Sequence, residues 1–147
     1  MHEYPEYPRP AVAVVVFKNE RILAVRRKNP PAADRWSVPG GSIRIGETMS
    51  QAVERETMEE TGIAVKAGRP FTTIDVVQRD DAGKVRFHYV IVYFLADYLS
   101  GEPVSGDDAA DAAWFTPEEF GRLETPEGTE QLLEQAVSCY RSASGKR

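Results

Sequence analysis

Cysteine and histidine are scarce in this chain of 147 residues, which holds one cysteine and two histidines. The single cysteine, Cys139, excludes a disulfide bond within the chain. So few thiol and imidazole groups also argue against a zinc site, because protein zinc sites draw most of their ligands from these two residue types. Cys139 lies at the edge of the apolar face of the last predicted helix, and we interpret it as a small core residue.

Long hydrophobic runs are also missing. The longest apolar run near the start, AVAVVVF at residues 11–17, is far shorter than the roughly 20 residues that a membrane-spanning helix needs. The preceding segment, MHEYPEYPRP, is interrupted by prolines and lacks a basic cluster, so we do not expect a secretory signal. We therefore expect a cytoplasmic protein that does not act at a membrane.

Positive charge is in the minority. The chain has 18 lysines and arginines against 23 aspartates and glutamates, a net charge of -5. The only dense basic cluster is RRK at residues 26–28, which argues against a nucleic acid as the main partner, since phosphate backbones require clustered cations. The glycine-rich patterns of P-loop and Rossmann nucleotide sites are absent as well.

The pattern of apolar residues and turn signals predicts one mixed α/β domain over residues 1–147, with residues 1–10 as an extended lead-in. A helix is predicted after Thr48, where Gln51 completes a capping box, and Gly62 provides its stop. A second capping box, from Thr116 to Glu119, predicts a short helix. The remaining elements are strands at residues 11–17, 22–27, 35–38, 70–78 and 85–99, the segment AAWF at residues 112–115 after a loop, and a last helix at residues 129–142.

Four glutamates crowd the predicted helix at residues 48–61. At 100° per residue, Glu56 and Glu60 fall on the same side as the apolar residues and Glu59 lies on its flank, whereas Glu54 points to the opposite side. The apolar face is defined by Met49, Ala52 and Val53. Such carboxylates, if buried and unpaired, would cost several kcal/mol. A hard divalent cation removes this conflict, because it takes oxygen ligands. A solvated acidic face is the alternative interpretation, and it suits Glu54.

The residues around these glutamates form a recognisable pattern. Gly41 is followed after five residues by Glu47, and seven residues later by RETMEETGI at residues 55–63. This spacing resembles the signature of the Nudix hydrolases, and WSVPGG at residues 36–41 extends the resemblance. Thr57 departs from the pattern, since the family usually has a bulky aliphatic residue there. The resemblance implies the Nudix fold, a mixed β-sheet sandwiched between α-helices.

The resemblance also implies a reaction. Nudix hydrolases cleave the pyrophosphate bond of a nucleoside diphosphate linked to another group, using Mg²⁺ or Mn²⁺. By position, Glu56 and Glu60 correspond to direct metal ligands, and Glu59 to a ligand that binds directly or through water. The carbonyl of Gly40 is a further implied ligand, and Gly41 lets the backbone approach the phosphates.

Further roles follow for residues around the metal ligands. Arg55 is implied to pair with Glu47 and to orient the carboxylates. A general base is expected in the loop before Trp114, where Asp108 is our choice over its neighbours Asp107 and Asp111; solvated loop aspartates are the alternative. If none of them serves, the base would come from Glu59 or Glu47.

Substrate contacts are less sharply indicated. Arg26 or Arg27 leaves the second strand close to the expected phosphate site, with Arg27 as our choice and a surface cation as the alternative. Phe87, His88 and Tyr89 alternate along a strand, so at least one of them should face the substrate, although core packing also explains aromatic residues there.

The overall layout looks most like the short bacterial ADP-ribose pyrophosphatase-like members of the family. This predicts ADP-ribose as substrate, with AMP and ribose 5-phosphate as products. The first alternative is a pyrophosphohydrolase that removes oxidised or non-standard nucleoside triphosphates. The second is a non-catalytic nucleotide sensor, which the intact set of motif glutamates disfavours. The predicted partner is a small nucleotide; the oligomeric state is left open, with a homodimer as one alternative.

Overall fold

Within residues 3–30, 32–106 and 109–143, which the computed structural model describes, the chain forms seven strands and three helices. Their bounds are β1 (Arg9–Lys18), β2 (Arg21–Arg27), β3 (Trp36–Ser37), β4 (Gly40–Ser42), α1 (Met49–Thr61), β5 (Ala64–Arg79), β6 (Val85–Ser100), β7 (Ala109–Phe115), α2 (Pro117–Gly121) and α3 (Thr129–Ala143).

The strands form one mixed sheet in the order β3-β2-β1-β6-β5, with β4 also pairing with β1 and β7 with β2. β1 and β6 run parallel, and the other pairs are antiparallel. Helices cover both faces, so the predicted α/β class with a mixed sheet between helices is confirmed.

The central strand β1 explains how the two layers of helices are held. All seven residues of AVAVVVF are buried, as expected for a strand covered on both faces. Val12, Val14 and Val16 pack with Ala52 and Val53 of α1. On the opposite face the core contains three residues of β1 and three from α2 and α3: Ala13, Val15, Phe17, Phe120, Leu133 and Ala136.

The predicted helix ends are confirmed. The Thr48 side chain accepts from the Gln51 amide and the Gln51 side chain accepts from the Thr48 amide, which completes the capping box. Gly62 ends α1 with a left-handed φ of 73°. The second capping box forms between Thr116 and Glu119.

One strand boundary differs from the prediction, and one strand was not predicted. β5 begins at Ala64, well before residue 70, because the sheet absorbs Gly68 and Pro70 through register shifts between Ala67 and Thr72. β4 was not predicted, since a glycine-rich segment of three residues carries no strand signal of its own. Both differences shape the site described below.

Among the helices of the described segments, none is long and apolar enough to cross a membrane.

Candidate active site

The short strand β4 brings the backbone of the two central glycines against the carboxylates of α1. The amide of Gly40 donates a hydrogen bond to Glu60 Oε1 at 3.1 Å, and Glu60 is buried, with 4% of its surface exposed. A Cβ atom at Gly41 would lie 2.3 Å from Glu56 Oε2. A side chain at position 41 would therefore occupy the space that the Glu56 carboxylate needs.

Arg55 is the positive group among these carboxylates. Its guanidinium binds Glu47 through two nitrogens, with Nε to Oε2 at 2.5 Å and Nη2 to Oε1 at 2.9 Å. Its Nη1 donates to Glu56 and to Glu59, both at 3.0 Å, and Nη2 also donates to the carbonyl of Ser42 at 3.0 Å. The predicted pairing of Arg55 with Glu47 is thus observed, and one cation links three carboxylates.

Burial makes this network electrostatically strong. The side chains of Arg55, Glu47 and Glu56 are 16%, 12% and 15% exposed, so their charges are only partly screened by water. The hydrogen bonds from Arg55 lower the pKa of Glu47 to about 2. In return, the hydrogen bond to Glu47 raises the pKa of Arg55 above its ordinary value.

The predicted meeting of Glu56, Glu59 and Glu60 at one point is not seen. Across the described part of the chain, no group of three or more acidic, histidine or cysteine side chains is close enough to hold a metal ion. Glu59 is drawn towards Arg55 and towards Arg44, whose Nη2 lies 3.5 Å from Glu59 Oε2. The donors that the described residues offer here are carboxylate and backbone oxygens, and this donor set suits Mg²⁺ or Mn²⁺ rather than a softer metal.

Two expectations about α1 were wrong. Glu54 does not point into solvent: its Oε2 accepts the amide hydrogen of Ala67 at 2.9 Å. The early start of β5 covers this side of the helix, and the sequence had placed that strand later. Met49 was assigned to the apolar face but is 41% exposed, so the buried stripe begins at Ala52.

Thr57, the departure from the family pattern, is completely buried. Its hydroxyl donates to the carbonyl of Val53 at 2.6 Å, one turn earlier in the helix. The hydroxyl therefore has its hydrogen-bond partner within α1 and needs no polar partner in the surrounding core.

A cleft of about 550 Å³ opens beside Glu56 and Glu60 on the face of the sheet that carries α3. Its floor crosses the sheet in rows of paired residues: Ala13 of β1 lies between Gly40 of β4 and Tyr93 of β6, and Ala11 lies between Ser42 and Ile91. The small side chains of β1 leave room between the carboxylates and the hairpin. On the hairpin, the cleft is lined by Ile74, Val76, Tyr89, Ile91 and Tyr93.

The structure places several predicted site residues in this cleft, namely Arg27, Gly40, Gly41, Glu56 and Glu60. Of the three alternating aromatic-strand residues, Tyr89 lines the cleft, whereas Phe87 is fully buried in the core. Asp108 and Asp107 lie outside the described residues. Asp111 is exposed in β7 and its Oδ1 accepts from the amide of Ala112.

Tyr93, Ile91 and Ile74 are cleft residues that sequence reasoning missed. The signal was present in β6, where residues 89, 91 and 93 share one face by strand alternation. The sequence does not reveal that β6 pairs with β1. This pairing brings the face of β6 with residues 89, 91 and 93 close to Gly40, Glu56 and Glu60.

Comparison with known proteins identifies the family. The NUDIX domain pattern matches residues 7–136. The chain belongs to the NUDIX family. An ADP-ribose pyrophosphatase of Methanocaldococcus jannaschii is 37% identical over 117 residues, which cover 78% of this chain and 67% of that protein. The prediction of a Nudix pyrophosphohydrolase is thereby confirmed.

The chain is also similar to other members of the Nudix family. The NAD-capped RNA hydrolase NudC of Vibrio vulnificus is 34% identical over 143 residues, 94% of this chain, but the chain spans only 51% of the length of that protein. The crystal structure of a MutT NUDIX hydrolase from Burkholderia pseudomallei superposes with a TM-score of 0.74 at 31% identity, and the match covers 88% of this chain and 98% of the other.

Proposed function

We propose that this Nudix protein hydrolyses the pyrophosphate bond of a nucleoside diphosphate linked to a second group, with ADP-ribose as substrate and AMP and ribose 5-phosphate as products. The observation that carries the proposal is the cleft itself. Its lining combines the carboxylates of Glu56 and Glu60 and the guanidinium of Arg27 with an apolar surface from the β5–β6 hairpin. An elongated molecule with a charged centre and an uncharged ring system matches this combination.

The relatives support this choice of substrate. The Methanocaldococcus protein named an ADP-ribose pyrophosphatase is 37% identical to this chain. The net charge of -5 favours a small nucleotide over a long nucleic acid, which would demand a larger cationic surface.

Each residue of the motif receives a role in this proposal. Glu56 and Glu60, together with Glu59 and the carbonyl of Gly40, would hold Mg²⁺, with Mn²⁺ as a substitute. A divalent cation held there would supply positive charge against the phosphate oxygens and would lower the pKa of a water molecule that attacks them.

The surrounding side chains orient this set. Arg55 holds the carboxylates of Glu56 and Glu59 at 3.0 Å, and Glu47 fixes the guanidinium of Arg55 by two hydrogen bonds. Arg27, on the cleft wall, is assigned to the phosphate oxygens of the substrate.

The general base is the least constrained role. Glu47 is poorly suited to it, because a carboxyl group whose pKa lies at about 2 is a weak base at neutral pH. Asp108 stays our choice, with Glu59 as the alternative from within the motif. Asp108→Asn should slow hydrolysis, and partial recovery of the rate at high pH would support the assignment.

The deciding experiment is a substrate panel with Mg²⁺ in which both products are identified. It should include ADP-ribose, NAD, an NAD-capped RNA and oxidised nucleoside triphosphates. Efficient formation of AMP and ribose 5-phosphate from ADP-ribose alone supports the proposal, and preference for a triphosphate would replace it with the sanitising function. Hydrolysis that persists after exhaustive chelation with EDTA would contradict the metal requirement.

A further inference from the structure

The cleft is lined by two side chains whose polar atoms form no hydrogen bond or ion pair among the described residues. Arg27 ends β2 and Tyr93 lies on β6, and both line the cleft that Glu56 and Glu60 enter. Within residues 3–30, 32–106 and 109–143, neither the guanidinium of Arg27 nor the hydroxyl of Tyr93 has a hydrogen-bond or ion-pair partner in the protein. Polar groups that face a cleft without partners are available to a ligand.

The sheet determines where Tyr93 stands relative to the carboxylates. Ala13 pairs with Tyr93 on one side and with Gly40 on the other, so the three residues form one row across β6, β1 and β4. The backbones of Tyr93 and Gly40 are therefore separated by two strand spacings of about 4.8 Å each. The residue between them is an alanine, which leaves the space above the row open.

The ring of Tyr93 is held in place by its surroundings. It packs edge-to-face against Phe71, with ring centroids 6.4 Å apart and planes at 63°, and it contacts the core beneath α3. Burial raises the pKa of the Tyr93 hydroxyl, and the positive charge of Arg27 acts in the opposite direction. The hydroxyl therefore keeps its proton at neutral pH, as a hydrogen-bond donor beside a cation.

We propose that Tyr93 is a substrate-binding residue, whose hydroxyl donates a hydrogen bond to the same phosphoryl group that Arg27 binds. The inference rests on the proposed function, and it adds a recognition element that comes from β6 and not from the motif. A guanidinium and a phenol that line one cleft offer donors and no negative charge, which fits a phosphate oxygen better than a base or a sugar. The row through Ala13 places Tyr93 across the open floor from Gly40, and Arg27 reaches the same cleft from β2, on the other side of β1.

Tyr93→Phe isolates the hydroxyl, because phenylalanine keeps the ring and its contact with Phe71. Loss of a hydrogen bond to a charged group should raise the KM for ADP-ribose roughly tenfold or more, with kcat changed much less. Tyr140→Phe is the matched control: its ring stacks on Phe17 at 4.0 Å, and it is not among the cleft residues. An unchanged KM in Tyr93→Phe, with an unchanged melting temperature, would overturn the inference.

Direct binding separates this inference from the proposed function. The probes are α,β-methylene-ADP, which resists hydrolysis, and adenosine, which has no phosphate; both are titrated by calorimetry. Tyr93→Phe should weaken the diphosphate roughly tenfold or more and leave adenosine unaffected. Equal weakening of both probes would move the hydroxyl to the nucleoside and contradict the proposal. A protein that hydrolyses no ADP-ribose yet shows the selective loss would refute the proposed function alone.

A double-mutant cycle tests whether one phosphoryl group is shared. If Arg27 and Tyr93 bind the same group, the losses in Arg27→Gln and Tyr93→Phe should not add up in the double variant, when affinity for α,β-methylene-ADP is measured. Strictly additive losses would mean that the two side chains bind separate parts of the ligand, and would overturn the shared contact.

Discussion

The two sides of the cleft are built by different means. The carboxylate side, formed by Gly40, Gly41, Glu56 and Glu60, comes from one continuous segment of the chain and is cross-linked by the hydrogen bonds of Arg55. The hairpin side, formed by Ile74, Val76, Tyr89, Ile91 and Tyr93, consists of alternate residues on two strands. Side chains on the carboxylate side depend on one another, whereas those on the hairpin side depend mainly on the sheet.

Because of this difference, we expect the carboxylate side to determine the rate of the reaction and the hairpin side to determine which substrate is bound. A substitution on the carboxylate side disturbs several hydrogen-bonded partners at once. Few other side chains can therefore replace these residues without disrupting the hydrogen bonds. A hairpin-side residue can be exchanged with little effect on its neighbours, because the strand backbone is held by its own pairing. We therefore expect turnover to be sensitive on one side and KM on the other.

The largest effect is expected from the carboxylates that enter the cleft. Glu56→Gln or Glu60→Gln should lower kcat roughly 100-fold or more, since each removes a charge that the reaction needs. The rate of pyrophosphate hydrolysis measures this directly. Glu54→Gln is the control: its carboxylate accepts the Ala67 amide, and glutamine can still do so. A comparable loss of kcat in Glu54→Gln would show that Glu54 also takes part in the reaction and would contradict its assignment as a structural residue.

A methyl group at Gly41 should have the next largest effect. The added Cβ would lie 2.3 Å from Glu56 Oε2, so Gly41→Ala must displace that carboxylate. We expect kcat to fall at least about tenfold, because small misplacements of a catalytic group are costly. In the control Gly121→Ala, a Cβ meets no atom within 4 Å, and its activity should equal that of the wild type. An active Gly41→Ala enzyme would show that Glu56 can be repositioned freely.

A smaller effect is expected on the hairpin side. Val76→Ala removes two carbons from the cleft lining and should raise KM about fourfold for each of them that the ligand covers, given roughly 0.8 kcal/mol per buried carbon. Its kcat should stay close to the wild-type value. Val77→Ala is a matched control on the same strand, since Val77 points to the other face and is 46% exposed. A fall in kcat without a change in KM would break the proposed division.

The smallest effect concerns acid stability. The pKa of Glu47 is lowered from 4.5 to about 2 in the folded protein, so its ion pair stabilises the fold above pH 4.5 and is lost as the pH falls towards 2. In the absence of divalent metal, protonation of Glu47 should lower the melting temperature by several degrees between pH 4.5 and pH 2. In Glu47→Gln that part of the pH dependence should be absent, whereas the exposed Glu118→Gln should behave like the wild type. Identical pH profiles for all three proteins would contradict the assignment.

Sequence reasoning succeeded where the determinants are local. The capping boxes at Thr48 and Thr116 depend on residues three positions apart, and both were predicted correctly. The side of α1 on which Glu56 and Glu60 lie depends on the helical periodicity, which can be read from the sequence of this one segment. Arg55 was expected to orient the carboxylates, but its role as the cation that links three of them emerged only from the structure.

It failed where distant segments meet. Glu54 was misplaced because its partner, Ala67, belongs to a strand whose start is hidden by Gly68 and Pro70. Tyr93 was not recognised as a cleft residue, because its position depends on β6 lying parallel to β1. Parallel pairing of strands so far apart in the chain leaves no local pattern, so the hairpin side could be described only after the sheet order was known.

The position of β1 has a consequence for the motions of the protein. On one face of this strand, Ala11 and Ala13 form the floor of the cleft, and two residues later Val15 is in the core with 0% exposure. The ligand would thus rest on the part of the sheet whose amide hydrogens should exchange most slowly. Opening the cleft by moving its floor would require breaking the centre of the fold. We therefore expect movement that admits substrate to occur away from this central strand, for example at Asn29 and Pro30 on the cleft wall.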